Sequence, residues 1–508
     1  MRRLRDFDKN VPVIDRFIQM EALKLAERHD GYHNYLQQEH ERKKRRFLSV
    51  SPKKIRCPLC WDENKKFNPY YVLKHHKQIY KSIRKKIDNG TYKPYQVYQQ
   101  QIPKGNGAFR VVNVYQIPDA AVSNYLYYKL LSKNKHRFSY YAYAYRDDKN
   151  VHYAIQDIAL ELKSHARLFV AEYDFSDFFG SISHDYLFEQ MNQNGFVITH
   201  KERLLIKSFL PESGIGIPQG TSVSLFLANL VCWQLDRQLE LEGLKFARYA
   251  DDTIIWSEDY NKICNAFKII SMFSKNSSVK INYNKSSGIS LLATEDILSE
   301  FKNTKEYIEF LGYKLSCNSI SIKERSCTRI KNNISYILYQ NLIQPLANGL
   351  MNANPVCLPN RKYDPAFLVA ISQIRRYLYG DLTDEKIIKY LNNSYKKLEF
   401  KGLMSFYPLV DDEIQLKQLD GWLVHTIMYF LKKRYNILRS YKKTIPTIPL
   451  RVKADFTNYC NNEMVNGKKE LLKIPSFVRI YKAVKKGVST QGIMAIVNPQ
   501  NNEYEYEA

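Results

Sequence analysis

No run of about 18 apolar residues occurs in this chain, so a membrane-spanning helix of ordinary length is excluded and no membrane partner is expected. The opening residues, MRRLRDFDKN, lack the apolar stretch of a secretory signal, and the sequence predicts a cytoplasmic protein. Cysteine is sparse: 8 in 508 residues, scattered except for Cys57 and Cys60, which excludes a disulfide framework and fits a reducing compartment. The CPLC stretch offers half of a zinc site that His75 or His76 could complete. Those histidines are adjacent rather than spaced as a ligand pair and no second CxxC follows, so two ordinary thiols are the simpler expectation. Acidic residues are in deficit, 51 Asp and Glu against 77 Lys and Arg, for a formal net charge of +26. A surplus this large predicts a polyanionic partner, most naturally nucleic acid. The 39 tyrosines fit that reading because aromatic rings stack on bases, although most belong to ordinary core and surface.

The length exceeds what one core serves, so two or three domains are expected. Residues 1–90 read as a basic helical extension, densest in charge at ERKKRR (41–46). From 91 to 316, short β-branched and aromatic runs alternate with helical patterns, the texture of an α+β domain. Helical periodicity returns from 317 to 460 in RIKNNISYILYQNLI, AFLVAISQIRRYLYG and LDGWLVHTIMYFLKKRY, each with an apolar stripe and a basic face. On that pattern Arg375, Arg376, Lys432, Lys433 and Arg434 project outward and contact RNA phosphates. The segment 461–508 ends in an acidic tail, NNEYEYEA, expected to be mobile. There is no internal repeat.

What the chain does have is FARYADDTII (246–255), two adjacent aspartates between runs of strand formers. Adjacent like charges repel and resist burial unless something positive stands between them. Upstream, RLFVAEYDFSDFFGSI (167–182) begins as an apolar strand and ends it at Asp174. Between the two lies GIPQGTSVSLFLANLVCWQLD (216–236), a turn followed by an amphipathic helix that Thr221 or Ser222 could cap. KFARYADDTIIWS reads as strand, tight turn, strand, with Asp251 and Asp252 at the tip. Bringing that tip beside Asp174 gathers three carboxylates, an arrangement stable around divalent cations and suited to phosphoryl or nucleotidyl transfer.

The order of these segments resembles the reverse transcriptase palm. YDFSDFF is similar to that family's motif A, IPQG to motif B and YADD to motif C; VKINYNKS (279–286) resembles motif D and YIEFLGYKL (307–315) the primer-grip hairpin. IPKGNGAFRVV (102–112) and YYAYAYRDD (140–148) resemble the fingers motifs. The resemblance covers residues 91–450 and implies an α+β right-hand polymerase: fingers and a palm with a ferredoxin-like antiparallel sheet, then a helical thumb and C-terminal region. It implies Asp174 and Asp251 as principal ligands of two Mg²⁺ ions, with Asp252 assisting and the Phe175 carbonyl as a backbone ligand. It also implies a nucleotide pocket: backbone N–H groups of Asp177 and Phe178 on the triphosphate, Lys104 and Arg110 as the closing cations, and Gln219 and Gly220 shaping the cavity. Lys285 is implied as the acid that protonates leaving pyrophosphate. Phe179, five residues after Asp174, would lie against C2′ of the incoming nucleotide and select dNTPs over rNTPs.

No RNase H, protease, integrase or C-terminal Cys/His endonuclease pattern is found, so a retroviral polyprotein origin is not expected. Ser224-Leu225 stands where retron and intron enzymes usually carry Ser-Pro, and no VTG follows the primer grip. The whole looks most like the bacterial defence-associated, abortive-infection or "unknown group" reverse transcriptases, related to those of retrons and group II introns. That resemblance implies a structured non-coding RNA as template, dNTPs as substrates, a DNA product and a role against phage. Three alternatives remain open: an untemplated polymerase, a protein-primed one using a tyrosine such as Tyr504 or Tyr506, and a catalytically silent RNA-binding scaffold. Whether the protein forms a homo-oligomer is open too.

Overall fold

The alternating apolar residues of RLFVAEY and KFARYADDTIIWS become one mostly antiparallel sheet in the computed structural model, which describes residues 13–44, 50–52, 54–103, 109–293, 301–347, 358–360, 362–465, 467 and 471–496. The chain divides into two compact units, one of residues 1–32 with 56–306 and the other of 33–55 with 307–508. Helix α1 (Val13–Lys44) contributes to both.

In the first unit, α2 (Cys60–Glu63) and α3 (Pro69–Asp88) precede a hairpin of β1 (Tyr98–Pro103) and β2 (Phe109–Val114). Then follow α4 (Ile117–Asn134), α5 (Val151–Ser164), β3 (Arg167–Tyr173), β4 (Phe175–Ser176), α6 (Phe178–Ser181), α7 (His184–Gln193) and α8 (His200–Phe209). After these come α9 (Ser222–Val231), α10 (Trp233–Leu241), β5 (Lys245–Tyr249), β6 (Asp252–Ser257), α11 (Tyr260–Ser277), β7 (Lys280–Ile281), β8 (Gly288–Ala293) and β9 (Thr304–Lys305). The main sheet has the order β5-β6-β3-β8-β9, all antiparallel except β8 with β9. Its central strand, β3, thus joins segments far apart in the sequence. Helix α11 packs on β3 and β6 through Ile263, Ala266, Ile270 and Phe273, whose spacing puts them on one buried face. Asp259 caps its start, accepting from the Asn261 amide at 2.8 Å.

Helix α9 is capped differently from the sequence expectation. Thr221 occupies the cap position, but its hydroxyl meets that of Ser123 on α4, and the Ser123 Oγ accepts from the Val223 amide at 2.9 Å. The acceptor comes from a packed neighbour because α4 and α9 lie against each other in the core.

The second unit starts with an antiparallel sheet of β10 (Tyr307–Phe310), β11 (Tyr313–Ser316) and β12 (Ile320–Ile322). The β10–β11 turn, Leu311-Gly312, has positive φ at both positions (48° and 87°), as a two-residue hairpin requires. Helices follow at Glu324–Leu338 (α12), Pro365–Tyr379, Asp384–Leu391, Glu413–Ser440, Lys453–Asn462 and Phe477–Gln491. Among the described residues, no helix of either unit is long and apolar enough to cross a membrane.

Two of the five cations expected to point outward do not. Arg434 is fully buried: its Nε donates to Asp364 Oδ2 at 2.6 Å and its Nη1 to the Leu342 carbonyl at 3.0 Å. It stands on the buried stripe that runs through Leu431 and Leu438, so its helix face is core rather than surface. Arg375 is also turned inward, donating to the Lys473 carbonyl at 2.7 Å beside Asp384. Arg376, Lys432 and Lys433 are exposed.

Candidate active site

Strand register brings the aspartates together. Tyr173, the last residue of β3, pairs with Thr253 of β6, so Asp174 leaves the sheet at the end where Asp252 begins β6. Tyr249 pairs with Asp252 across the β5–β6 hairpin, which leaves Ala250 and Asp251 as its two-residue turn. Asp174 is buried, Asp251 half-buried and Asp252 exposed. Ala250 takes φ 60°, a left-handed conformation that costs a residue with a side chain roughly 1–3 kcal/mol. The turn is braced from beneath by Arg248, 1% exposed, whose Nη1 donates to the Ala250 carbonyl at 3.2 Å.

The segment after β7 closes on Asp174 from the other side. The Asn282 amide donates to the Asp174 carbonyl at 2.8 Å, and its Nδ2 to Asp174 Oδ2 at 2.9 Å. Ser286 Oγ accepts from the Asp174 amide at 3.2 Å. Lys285 Nζ reaches the same Oδ2 at 2.9 Å, although its side chain is 69% exposed. The Asp174 hydrogen bond raises the Lys285 pKa from its ordinary value, and the negative charges of Asp174, Asp252 and Asp251 add to it. One ammonium therefore senses all three carboxylates, and at neutral pH it is protonated.

Among the described residues no three His, Cys, Asp or Glu side chains are drawn together as a metal-holding group. Neighbouring carboxylates repel, and here Asp174 is matched by the chain's own cation. The donor chemistry, carboxylate oxygens with one backbone carbonyl, nevertheless suits a hard cation such as Mg²⁺.

Phe179 is half-buried with its ring edge-to-face on Phe178 (centroids 5.4 Å) and Tyr145 (6.4 Å). Its carbonyl accepts from the Ile217 amide at 2.6 Å, which ties the YDFSDFF segment to the IPQG turn. Asp177 adopts φ 43° ahead of α6, and its carboxylate folds over Gly180, where an added Cβ would stand 2.2 Å from Oδ2. Phe175, buried in β4, pairs with Ile281. Gly220 has φ 100°, and a Cβ there would meet the Asn113 carbonyl of β2 at 2.2 Å, so glycine permits the Gln219-Gly220 turn to lie against the hairpin strand that carries Arg110. Lys104 lies outside the described residues, as do Tyr504 and Tyr506.

The cysteine pair has other company than a metal-ligand set. Cys57 is exposed, burial pushes the Cys60 thiol up to about 11, His75 stacks on Tyr71 at 4.4 Å and His76 Nδ1 meets Asp15 at 2.7 Å. Three contributors escaped the sequence reading: Asn282, Arg248 and Tyr145. Arg248 had left a signal, being a charged residue inside an otherwise apolar strand, FARY.

Residues 102–315 match the family model described as reverse transcriptase (RNA-dependent DNA polymerase). The chain is similar to Protein YkfC of Escherichia coli (strain K12), 24% identical over 168 residues, which are 31% of this chain and 44% of that protein. It thus spans less than half the length of that relative. Among solved structures, a telomerase from Candida albicans in complex with a TWJ fragment of telomeric RNA aligns with TM-score 0.36 and 14% identity, over 74% of this chain and 68% of that one. An apo telomerase from Candida tropicalis aligns with TM-score 0.34 and 10% identity, over 83% and 73%. The segment 102–315 thus matches a reverse transcriptase domain, and it lies within an α+β fold.

Proposed function

We propose that the reverse transcriptase domain at residues 102–315 is catalytically active, copying RNA into DNA by adding dNTPs to a 3′-hydroxyl. The observation that carries this reading is the β3–β6 register, which brings the Asp174 end of β3 to the hairpin end carrying Asp251 and Asp252, with Lys285 Nζ 2.9 Å from Asp174 Oδ2. Asp174, Asp251 and Asp252, with the Phe175 carbonyl, would hold two Mg²⁺ ions, which when bound supply activation of the hydroxyl and neutralisation of triphosphate charge.

The protein's own groups do the rest. Lys285 carries a proton within reach of the site and would deliver it to the departing pyrophosphate. The half-exposed face of Phe179 would exclude a ribose 2′-hydroxyl. Asp177 and Phe178 would offer backbone N–H groups to the triphosphate, Gln219 and Gly220 would wall the base and sugar, and Lys104 and Arg110 would bind its phosphates. Extension of a DNA primer on an RNA template by the purified protein, lost on chelation and restored by Mg²⁺, is the expected result. No extension with any primer or template would overturn the reading; extension that persists without template would favour the untemplated alternative.

The resemblance to the bacterial defence-associated reverse transcriptases implies a structured non-coding RNA as template and a role against phage, and the net charge of +26 suits a polyanionic partner. Arg376, Lys432 and Lys433, exposed on helices of the second unit, would contact its phosphates. Replacing all three with Gln is expected to weaken RNA binding and to flatten its dependence on salt by roughly 0.7 in log–log slope per lost contact. A slope equal to that of the wild type would remove these residues from the RNA surface.

A further inference from the structure

Arg248 sends its guanidinium to three places at once. Its Nε and Nη2 grip Asp236 of α10, both at 2.6 Å; its Nη1 reaches Asn229 of α9 at 3.3 Å and the Ala250 carbonyl at 3.2 Å. Its backbone is held as well, the amide donating to the Tyr141 carbonyl and the carbonyl accepting from the Tyr143 amide, each at 2.9 Å. Asn229 in turn donates from Nδ2 to the Ala144 carbonyl at 2.9 Å. The guanidinium and both its polar side-chain partners are buried.

A buried ion pair is a poor way to stabilise a fold, because desolvation offsets most of the attraction, and apolar side chains would fill the same volume at no such penalty. What this pair adds is direction. Asp236 fixes the plane of the guanidinium by a two-pronged contact, and that plane aims Nη1 at one carbonyl. The Ala250 carbonyl belongs to the peptide that leads into Asp251, so holding it sets the rotation of that peptide and the direction in which the Asp251 side chain leaves the backbone. The held carbonyl also belongs to the residue in the left-handed conformation, where the turn most needs support.

We infer that Arg248 is a positioning residue for Asp251, and that Asp236 and Asn229 set it from the helices behind the site. The inference rests on the proposed role of Asp251 as a metal ligand. Lysine at 248 keeps the charge opposite Asp236 but, having one ammonium in place of a planar fork, cannot hold Asp236, Asn229 and the Ala250 carbonyl together.

The test compares Arg248→Lys, Arg248→Ala and Asn229→Leu with the wild type in three measurements: thermal melting, Mn²⁺ binding followed by the paramagnetic resonance of the free ion, and primer extension. Arg248→Lys is expected to recover most of the melting temperature that Arg248→Ala loses, yet to bind Mn²⁺ at least fivefold more weakly. In extension it should show kcat lowered at least tenfold with the KM for dNTP within twofold of wild type. Asn229→Leu, which leaves the Asp236 pair intact, should show the same pattern more weakly and serves if the Arg248 variants do not fold. Mn²⁺ affinity and kcat within twofold of wild type in a folded Arg248→Lys would overturn the inference, as would losses that simply follow melting temperature across the set. Should the wild type extend no primer, the polymerase reading fails, and Mn²⁺ affinity alone decides whether Arg248 positions Asp251.

Discussion

Replacing Asp251 and Asp252 together with asparagine is expected to abolish DNA synthesis, by a factor on the order of 10³ or more in single-turnover rate. The size follows from the role proposed for the carboxylates: charge fixed in advance at the place where a phosphoryl group would be attacked and its leaving group would depart. The fold is expected to tolerate both changes. Asp252 is exposed and Asp251 is half-buried in a turn, and the backbone pairing of Tyr249 with Asp252 does not depend on the side-chain charge. Removing neighbouring negative charges also relieves repulsion, so melting temperature should hold or rise. Lys285 should lose part of the upward push on its pKa while keeping its contact with Asp174. Incorporation of dNTPs at near wild-type rate by a folded double variant would mean that the chemistry lies elsewhere.

Phe179→Val is expected to raise the ratio of kcat/KM for rNTP to that for dNTP by roughly tenfold or more, the scale on which a shape difference of one small group is felt in a pocket. In the proposed role as a barrier the ring would be steadied by Phe178 and Tyr145, which flank it, while the Phe179 carbonyl is bonded to the Ile217 amide. That last bond is made by the main chain and survives the substitution, so the IPQG turn should keep its place. Tyr145→Ala should shift the ratio in the same direction by a smaller amount, since it loosens the ring without removing it. An unchanged ratio in an active Phe179→Val protein would assign the ring to packing alone.

Much of the palm sheet was legible because strands announce themselves by a period of two, and because an Asp at the end of an apolar run is conspicuous. The hairpin carrying Asp251 and Asp252, the strand ending at Asp174 and the helix after IPQG all appear at the expected places. The less legible parts involve partners distant in the chain. Arg434 looked like the third member of a basic cluster, LKKRY, and nothing local reveals that Asp364 waits for it in the core. Its position after Leu431 and before Leu438 was the available sign, and it was outweighed by the charge of its neighbours. The Ser123 cap on α9 and the Asn282 clamp on Asp174 likewise join residues roughly a hundred positions apart, with separations of 100 and 108.

The central place of β3 bears on the order in which the protein can assemble. Both of its neighbours are made later: Phe169 pairs with Ser257 on one side and with Leu291 on the other. A ribosome adding about 5–20 residues per second therefore leaves this apolar strand with two open edges for several seconds. Open edges of that kind invite pairing with other chains, and non-local pairing is slow to form. The clamp on Asp174 by Asn282 and Ser286 comes from the same late stretch of chain. On the proposed reading catalytic competence would arrive with the closing of the sheet, and a nascent chain halted before β8 would hold all three aspartates while lacking the strand that completes their scaffold.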